Sequence, residues 1–221
     1  MKSRVSVIIP AYNEAENIKE VVSKLRELKM SFDIVVVDDG STDGTADVAK
    51  SLGVRVVKHG KNWGKGAAIR TGIANSKGGI VVIQDADLEY DPKHIPKLLE
   101  PIEKGEADVV YGSRFLGNIQ GMKKAHLFGN WFLSLATSAI FGKRITDMET
   151  GYKVFAPGVV ESLDLKSDGF DIEPEITAKI IRKNYRIVEL PITFSSRKKG
   201  VKKISVWDGI KAFFLLLKYA I

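Results

Sequence analysis

Cysteine is absent from this 221-residue chain. Its absence excludes disulfides, thiolate metal sites and a cysteine nucleophile, and it fits a reducing, cytoplasmic compartment. Long hydrophobic runs are missing too: no stretch reaches the roughly 20 apolar residues that span a bilayer. The apolar run after Met1-Lys2-Ser3-Arg4 is far too short for a secretory leader. Histidine is scarce, and His59, His94 and His126 have no metal-ligand spacing. Acid is the minority charge, 27 residues against 34 basic ones, and the resulting +7 implies an affinity for anions such as phosphates or anionic lipid. Arg197, Lys198, Lys199, Lys202 and Lys203 form a basic cluster without interleaved aromatics. No nucleic-acid module accompanies it, so nucleic acid is not an expected partner. There is no internal repeat, low-complexity tract or evident linker.

What is present is alternation. Apolar runs at Val5–Pro10, Ile34–Val37, Val54–Val57, Ile80–Ile83 and Val109–Gly112 read as strands. Between them, Glu14–Leu28, Thr45–Leu52, Ala67–Ala74 and Pro92–Glu103 have helical spacing, with Gly53 closing one helix and Pro92 opening another. Strands alternating with helices predict βαβ units and an α/β fold with a mostly parallel sheet flanked by helices. After about Gly117 the pattern changes to a long apolar helix over Leu127–Gly142, a turn at Thr150-Gly151-Tyr152, a helix through Glu175 to Lys183, a strand at Ile187–Phe194 and a basic amphipathic helix over Val206–Ile221. The expectation is one domain over 1–221, with a nucleotide-binding half at 1–116 and an acceptor-side half at 117–221.

The polar clusters sit where strands end. Asp85-Ala86-Asp87 follows four consecutive β-branched residues, the pattern of a strand buried on both faces. Pro10-Ala11-Tyr12-Asn13-Glu14 and Asp38-Asp39-Gly40-Ser41-Thr42-Asp43 follow two other strands. Parallel winding brings such exits to one edge, where open α/β sheets bind ligands. Paired carboxylates there suit a divalent ion shared with a substrate's phosphates. Taken singly, each cluster also reads as a solvated turn or a helix cap.

Taken together they resemble the family 2 glycosyltransferases of GT-A (Rossmann-like) fold, and within them the polyprenyl-phosphate sugar synthases. The residues that carry the resemblance are Pro10-Ala11-Tyr12-Asn13-Glu14, Val37-Asp38-Asp39-Gly40-Ser41, Asn62-Trp63-Gly64-Lys65-Gly66, Gln84-Asp85-Ala86-Asp87-Leu88-Glu89, Gly112-Ser113-Arg114-Phe115, Asp147-Met148-Glu149-Thr150-Gly151-Tyr152-Lys153 and Phe170-Asp171-Ile172-Glu173-Pro174-Glu175. The chain carries neither the C-terminal transmembrane pair of many such synthases nor the Gln-x-x-Arg-Trp motif of processive polymerases. The resemblance implies a nucleotide-sugar donor (GDP-mannose or UDP-glucose) and Mg²⁺ or Mn²⁺. It implies that Pro10, Tyr12 and Glu14 flank base and ribose, that Asp39 contacts the base, and that Lys65 and Asp85 lie near the nucleotide. Asp85 and Asp87 become the metal pair, with Glu89 completing the shell.

Arg197 and the lysines after it are suited to a diphosphate, which a guanidinium binds through two bonds; a solvated loop is the bland alternative. The acceptor decides the rest. A hydroxyl acceptor needs a carboxylate base, for which Glu173 and Glu175 are candidates, unless they only form an acidic first helical turn. A lipid phosphate is already largely dianionic and needs cations instead, from Arg114, Lys123, Lys124 and Arg144. The expected activity is metal-dependent, inverting hexosyl transfer to a polyprenyl or dolichyl phosphate by an enzyme held peripherally on the cytoplasmic face of a membrane. A soluble or glycan hydroxyl acceptor and a non-catalytic nucleotide-binding module are the competing readings. Trp207, Ile210, Phe214 and Leu217 recur at helical spacing with Lys211 and Lys218, the pattern of a helix lying in a bilayer interface or of one docked on its own domain.

Overall fold

The computed structural model describes residues 4–196 and 206–220, so the basic cluster of Arg197 to Lys203 lies outside the described residues. Seven strands form one sheet: β1 (Val5–Ala11), β2 (Phe32–Asp38), β3 (Arg55–Lys58), β4 (Ile80–Ile83), β5 (Val109–Gln120), β6 (Lys153–Phe155) and β7 (Ile187–Ser195). Their order is β3-β2-β1-β4-β6-β5-β7. The first four are mutually parallel, β5 and β7 are parallel, and β6 runs antiparallel between β4 and β5. The expected mostly parallel α/β sheet is present, with this one reversed strand.

Helices α1 (Ala15–Glu27), α2 (Thr45–Ser51), α3 (Lys65–Ala74), α4 (Ile95–Glu103), α5 (Lys124–Phe141), α6 (Val159–Ser162), α7 (Ile172–Arg182) and α8 (Val206–Ala220) complete the chain. Alternation along the strands builds two cores, because successive side chains leave a strand on opposite faces. Val7, Ile9 and Val82 pack on one face with Ile18, Val22 and Leu25 of α1 and Leu98 of α4. Ile8, Val81 and Ile83 pack on the other with Ile69 of α3 and Ile172, Ile176 and Ile180 of α7. Burial on both faces is why these strands read as unbroken apolar runs.

Several bounds differ from the sequence expectation. β5 runs on to Gln120, its polar tail pairing with β7 across an irregularity between Ser113 and Asn118. β6 and α6 were not expected; three and four residues are too short to carry a periodicity. The helix expected from Pro92 is a 3₁₀ turn, Pro92–His94, followed by α4. Gly53 does end α2 with φ +67°, its N–H bonding Lys50 O.

The topology fixes what meets at one edge. β1, β2 and β4 all end there, and antiparallel β6 begins there, Ile83 standing opposite Lys153. The exits are tied together: Asn13 N–H donates to Ser41 Oγ, Thr42 N–H to Asn13 Oδ1 and Glu14 N–H to Thr45 Oγ1, each at 2.9 Å. The first turn of α3 is anchored by the segment before α7, where Gly169 O and Asp168 O accept from Gly66 N–H and Ala67 N–H at 3.2 and 3.0 Å. A Cβ at Gly66 would strike the Ser167 carbonyl. Gly66→Ala should therefore lower stability by about 1–3 kcal/mol in urea denaturation, whereas Gly60→Ala, with open space around it, should be nearly neutral. Equal midpoints for the two variants would show that the segment does not dock here.

Candidate active site

A cavity of about 480 Å³ opens at this edge. The exit of β1 contributes Pro10, Tyr12 and Glu14, the exit of β2 contributes Asp39, and that of β4 contributes Asp85, Asp87 and Glu89. Lys65 comes from α3, Arg114 from β5, Glu149 and Gly151 from the loop before β6, and Glu173 from α7. Most of the residues expected from sequence are brought together here; Lys123, Arg144 and Glu175 do not line the cavity. Lys124 is exposed at the first position of α5 and does not line the cavity, and Arg197 lies outside the described residues.

The electrostatic centre is a chain of ions, half-buried at Lys65 and Asp85 and buried at Glu173 and Lys153. Lys65 Nζ lies 2.9 Å from Asp85 Oδ1 and 3.0 Å from Glu173 Oε1, and Glu173 Oε2 holds Lys153 Nζ at 2.5 Å. Burial works against the Lys65 charge, but Asp85 and Glu173 more than offset it and keep its ammonium protonated well above the usual lysine range. Lys153 is wholly buried, lies over the Tyr111 ring and also donates to Met148 O and Thr150 O. Gly151 is required beside this chain: a Cβ there would collide with Asp85 Oδ2 and the Lys65 ammonium. Glu173 and Glu175 are thus spoken for. Glu175 accepts from the N–H groups of Lys166 and Ser167 and pairs with Lys179 at 2.6 Å.

Asp39 accepts from Trp63 N–H at 2.9 Å and Gly64 N–H at 2.8 Å, and its Oδ1 lies 2.7 Å from His59 Nδ1. It shapes the loop before α3 as well as lining the cavity. The His59 ring stacks on Trp63 with centroids 4.6 Å apart. Arg114 is buried and forked by Asp147, with Nε–Oδ2 2.7 Å and Nη2–Oδ1 2.6 Å. Burial opposes its charge and Asp147 restores it, leaving the guanidinium more firmly charged than in water. Glu149 is pushed the other way, up to about 7, by burial and then by Glu173, against the opposing pull of Lys153 and Arg114.

Asp85, Asp87 and Glu89 offer oxygen donors to one cavity, and Asp87 Oδ1 also accepts from Glu89 N–H at 3.0 Å. Among the described residues no group of three acidic or imidazole side chains forms a ready-made metal cage. That donor set fits Mg²⁺ or Mn²⁺ nonetheless, since such ions are commonly held by one or two carboxylates and completed by substrate phosphates and water. His59, Asp147 and Lys153 were not assigned roles from sequence. Asp147 and Lys153 fall in one of the stretches that carry the family resemblance, but nothing in their spacing marks the ions they pair with; His59 carries no sequence signal.

The glycosyl transferase family 2 profile matches residues 6–161. The chain is 33% identical to the dolichol-phosphate mannosyltransferase of Pyrococcus furiosus, covering 98% of this chain but only 64% of that protein. It is 32% identical to the undecaprenyl-phosphate mannosyltransferase of Micrococcus luteus, over 91% of this chain and 88% of that protein. It is also 32% identical to the polyprenol monophosphomannose synthase of Mycolicibacterium smegmatis, over 99% and 87%. Among solved structures, glucosyl-3-phosphoglycerate synthase from Mycobacterium tuberculosis shares the fold, with TM-score 0.79 and 22% identity over 99% of this chain and 80% of that one. With strand exits, carboxylate pair and cavity in place, the chain belongs to glycosyl transferase family 2. It is a glycosyltransferase of the GT-A type.

Removing the Lys65 cation leaves Asp85 facing Glu173 across a buried gap. Lys65→Met should cost about 3 kcal/mol of stability, as expected for stripping one partner from a buried ion pair. Adding Asp85→Asn should recover part of that loss, because the two sites are coupled. Strictly additive losses in denaturant titrations would show that Lys65 and Asp85 do not pair.

Proposed function

We propose that the protein transfers a hexosyl group from a nucleotide sugar to a phosphate-bearing acceptor, and that this acceptor is a polyprenyl phosphate presented at a membrane surface. The observation that carries the reading is an apolar face beside the cavity. Phe128, Trp131, Phe132 and Leu135 of α5 and Trp207, Ile210, Phe214 and Leu217 of α8 are all exposed. Soluble proteins rarely leave so much contiguous apolar surface without a partner. Lys211 and Lys218 are exposed on the same helix and add attraction to anionic lipid. The opposite side of α8 is docked, with Ala212 and Leu216 packed against Leu133, Met148 and Ile181. In this reading one face of α8 docks on its own domain and the other meets lipid. No helix among the described residues is long and apolar enough to cross a membrane.

In this reading Pro10, Tyr12, Glu14 and Asp39 bound the nucleoside, and Lys65 lies beside the diphosphate. Asp85 and Asp87, with Glu89, would hold Mg²⁺ or Mn²⁺, which when bound supplies positive charge to the leaving diphosphate. The acceptor's phosphate oxygen forms a bond to the anomeric carbon as the bond to the diphosphate oxygen breaks, with inversion. No base is needed for a dianionic phosphate, which suits a site whose Glu173 is held by two lysines. Arg114 supplies charge toward the acceptor. The relatives at 32–33% identity that act on lipid phosphates support this acceptor.

A soluble phosphate is the second reading, favoured by the similar fold of a synthase solved with Mn²⁺, UDP-glucose and phosphoglyceric acid.

Asp87→Ala should abolish transfer without altering the thermal midpoint, because Asp87 stands at a strand exit and not in the core; activity of this variant in excess EDTA would refute the metal role. The acceptor is tested with vesicles containing phosphatidylglycerol. The protein should sediment with them at low salt, less so in high salt and less in a Trp207→Ser/Phe214→Ser variant, and it should glycosylate an embedded polyprenyl phosphate. If it stays in the supernatant and uses 3-phosphoglycerate instead, the soluble reading replaces the lipid one.

A further inference from the structure

The loop entering β6 is pinned on both sides of one residue. Asp147 grips Arg114, Met148 N–H donates to Ser134 Oγ at 3.0 Å, Thr150 Oγ1 donates to Gly112 O at 2.7 Å and Lys153 Nζ ties the turn from below. Glu149 is the exception. Among the described residues no hydrogen bond or ion pair reaches it, and its Oε1 is shut away from solvent without a partner. A buried polar atom left unpaired on a rigid loop calls for an explanation. Its position supplies one.

Glu149 lines the nucleotide-side cavity and also a second one of about 360 Å³ between α5 and α8, lined by Phe132, Ile210 and Phe213 among others. His126, Asn130 and Phe170 are shared with it by both cavities. An acceptor whose apolar tail lies along the helices must bring its head past these residues.

We propose that Glu149 is the acceptor-positioning residue: as the neutral acid it donates its O–H to a non-attacking oxygen of the acceptor phosphate where the two cavities join. This rests on the phosphate-acceptor reading above. Arg114, in the same cavity, balances the phosphate's charge, while a carboxylate at position 149 would repel it. The surroundings favour the neutral acid. Burial and then Glu173 raise its pKa to about 7, with Asp147 adding to this and Lys153 and Arg114 opposing it. His126 and Asp208 are the other ionisable groups lining the second cavity. The O–H is therefore present below about pH 7 and is lost as pH rises through that value, so the acceptor KM should climb on the alkaline side.

The test compares the parent protein with Glu149→Ala and Glu149→Gln, using geranyl phosphate as a short acceptor and calorimetry of GDP and UDP as the measure of an intact donor site. Glu149→Ala should raise the acceptor KM by roughly tenfold to a hundredfold, the loss of one hydrogen bond to a charged group, with a smaller change in kcat and an unchanged nucleotide Kd. Glu149→Gln, whose amide still donates, should restore most of that affinity and flatten the alkaline rise. An unchanged acceptor KM in Glu149→Ala overturns the proposal, as does a Glu149→Gln variant with collapsed kcat and normal KM, the behaviour of a general base. A parent protein that ignores geranyl phosphate but glycosylates a hydroxyl acceptor overturns the phosphate reading itself, and this one with it.

Discussion

A lysine held between two carboxylates organises this molecule. Lys65 opens α3, Asp85 follows the end of β4 and Glu173 lies in the first turn of α7, so one ammonium joins elements from three parts of the chain. Through Glu173 the same chain of charges reaches Lys153 at the start of β6. The buried members, Glu173 and Lys153, are the ones that least tolerate losing a partner, since an unpaired buried charge costs several kcal/mol. The elements at the sheet edge are consequently coupled through these charges. The close approach at Gly151 and the anchoring of the first turn of α3 by residues before α7 follow from this coupling.

What could be read from the residues was what local pattern encodes. Ile80–Ile83 reads as a strand buried on both faces, which puts the carboxylates after it at a strand exit. Strands β1, β2 and β4 are parallel, so the shared edge followed. Lys153–Phe155 was invisible because three residues contain barely one period of alternation. Its reversed direction is what delivers Thr150 and Gly151 to the site. The partnerships of Arg114 with Asp147 and of His59 with Asp39 were equally hidden, for they join residues far apart in the chain and depend on tertiary placement.

The α5 and α8 pair shows a subtler limit. The helical recurrence of Trp207, Ile210, Phe214 and Leu217 identified an apolar stripe but not its direction. Ala212 and Leu216, with nothing unusual in their sequence context, turned out to be the residues that dock, and the larger aromatics face outward. Size and hydrophobicity would have ranked them the other way. The choice was made by the small core of Leu133, Ile145, Met148 and Ile181, which admits an alanine and a leucine.

The interpolated strand β6 also governs the order in which the sheet can be completed. It follows β5 in the chain yet sits between β4 and β5 in space. Until residues 153–155 have been made, β4 has no partner on that side, and β5 and β7 have no place against it. A growing chain that has emerged only as far as α5 presents an open strand edge, Ile80 to Ile83, flanked by apolar faces on both sides. Such an edge is a template for pairing with other chains, and closing it late requires contacts of long sequence separation, which form slowly. During synthesis the hazard lies with β4, the very strand whose end carries the carboxylate pair.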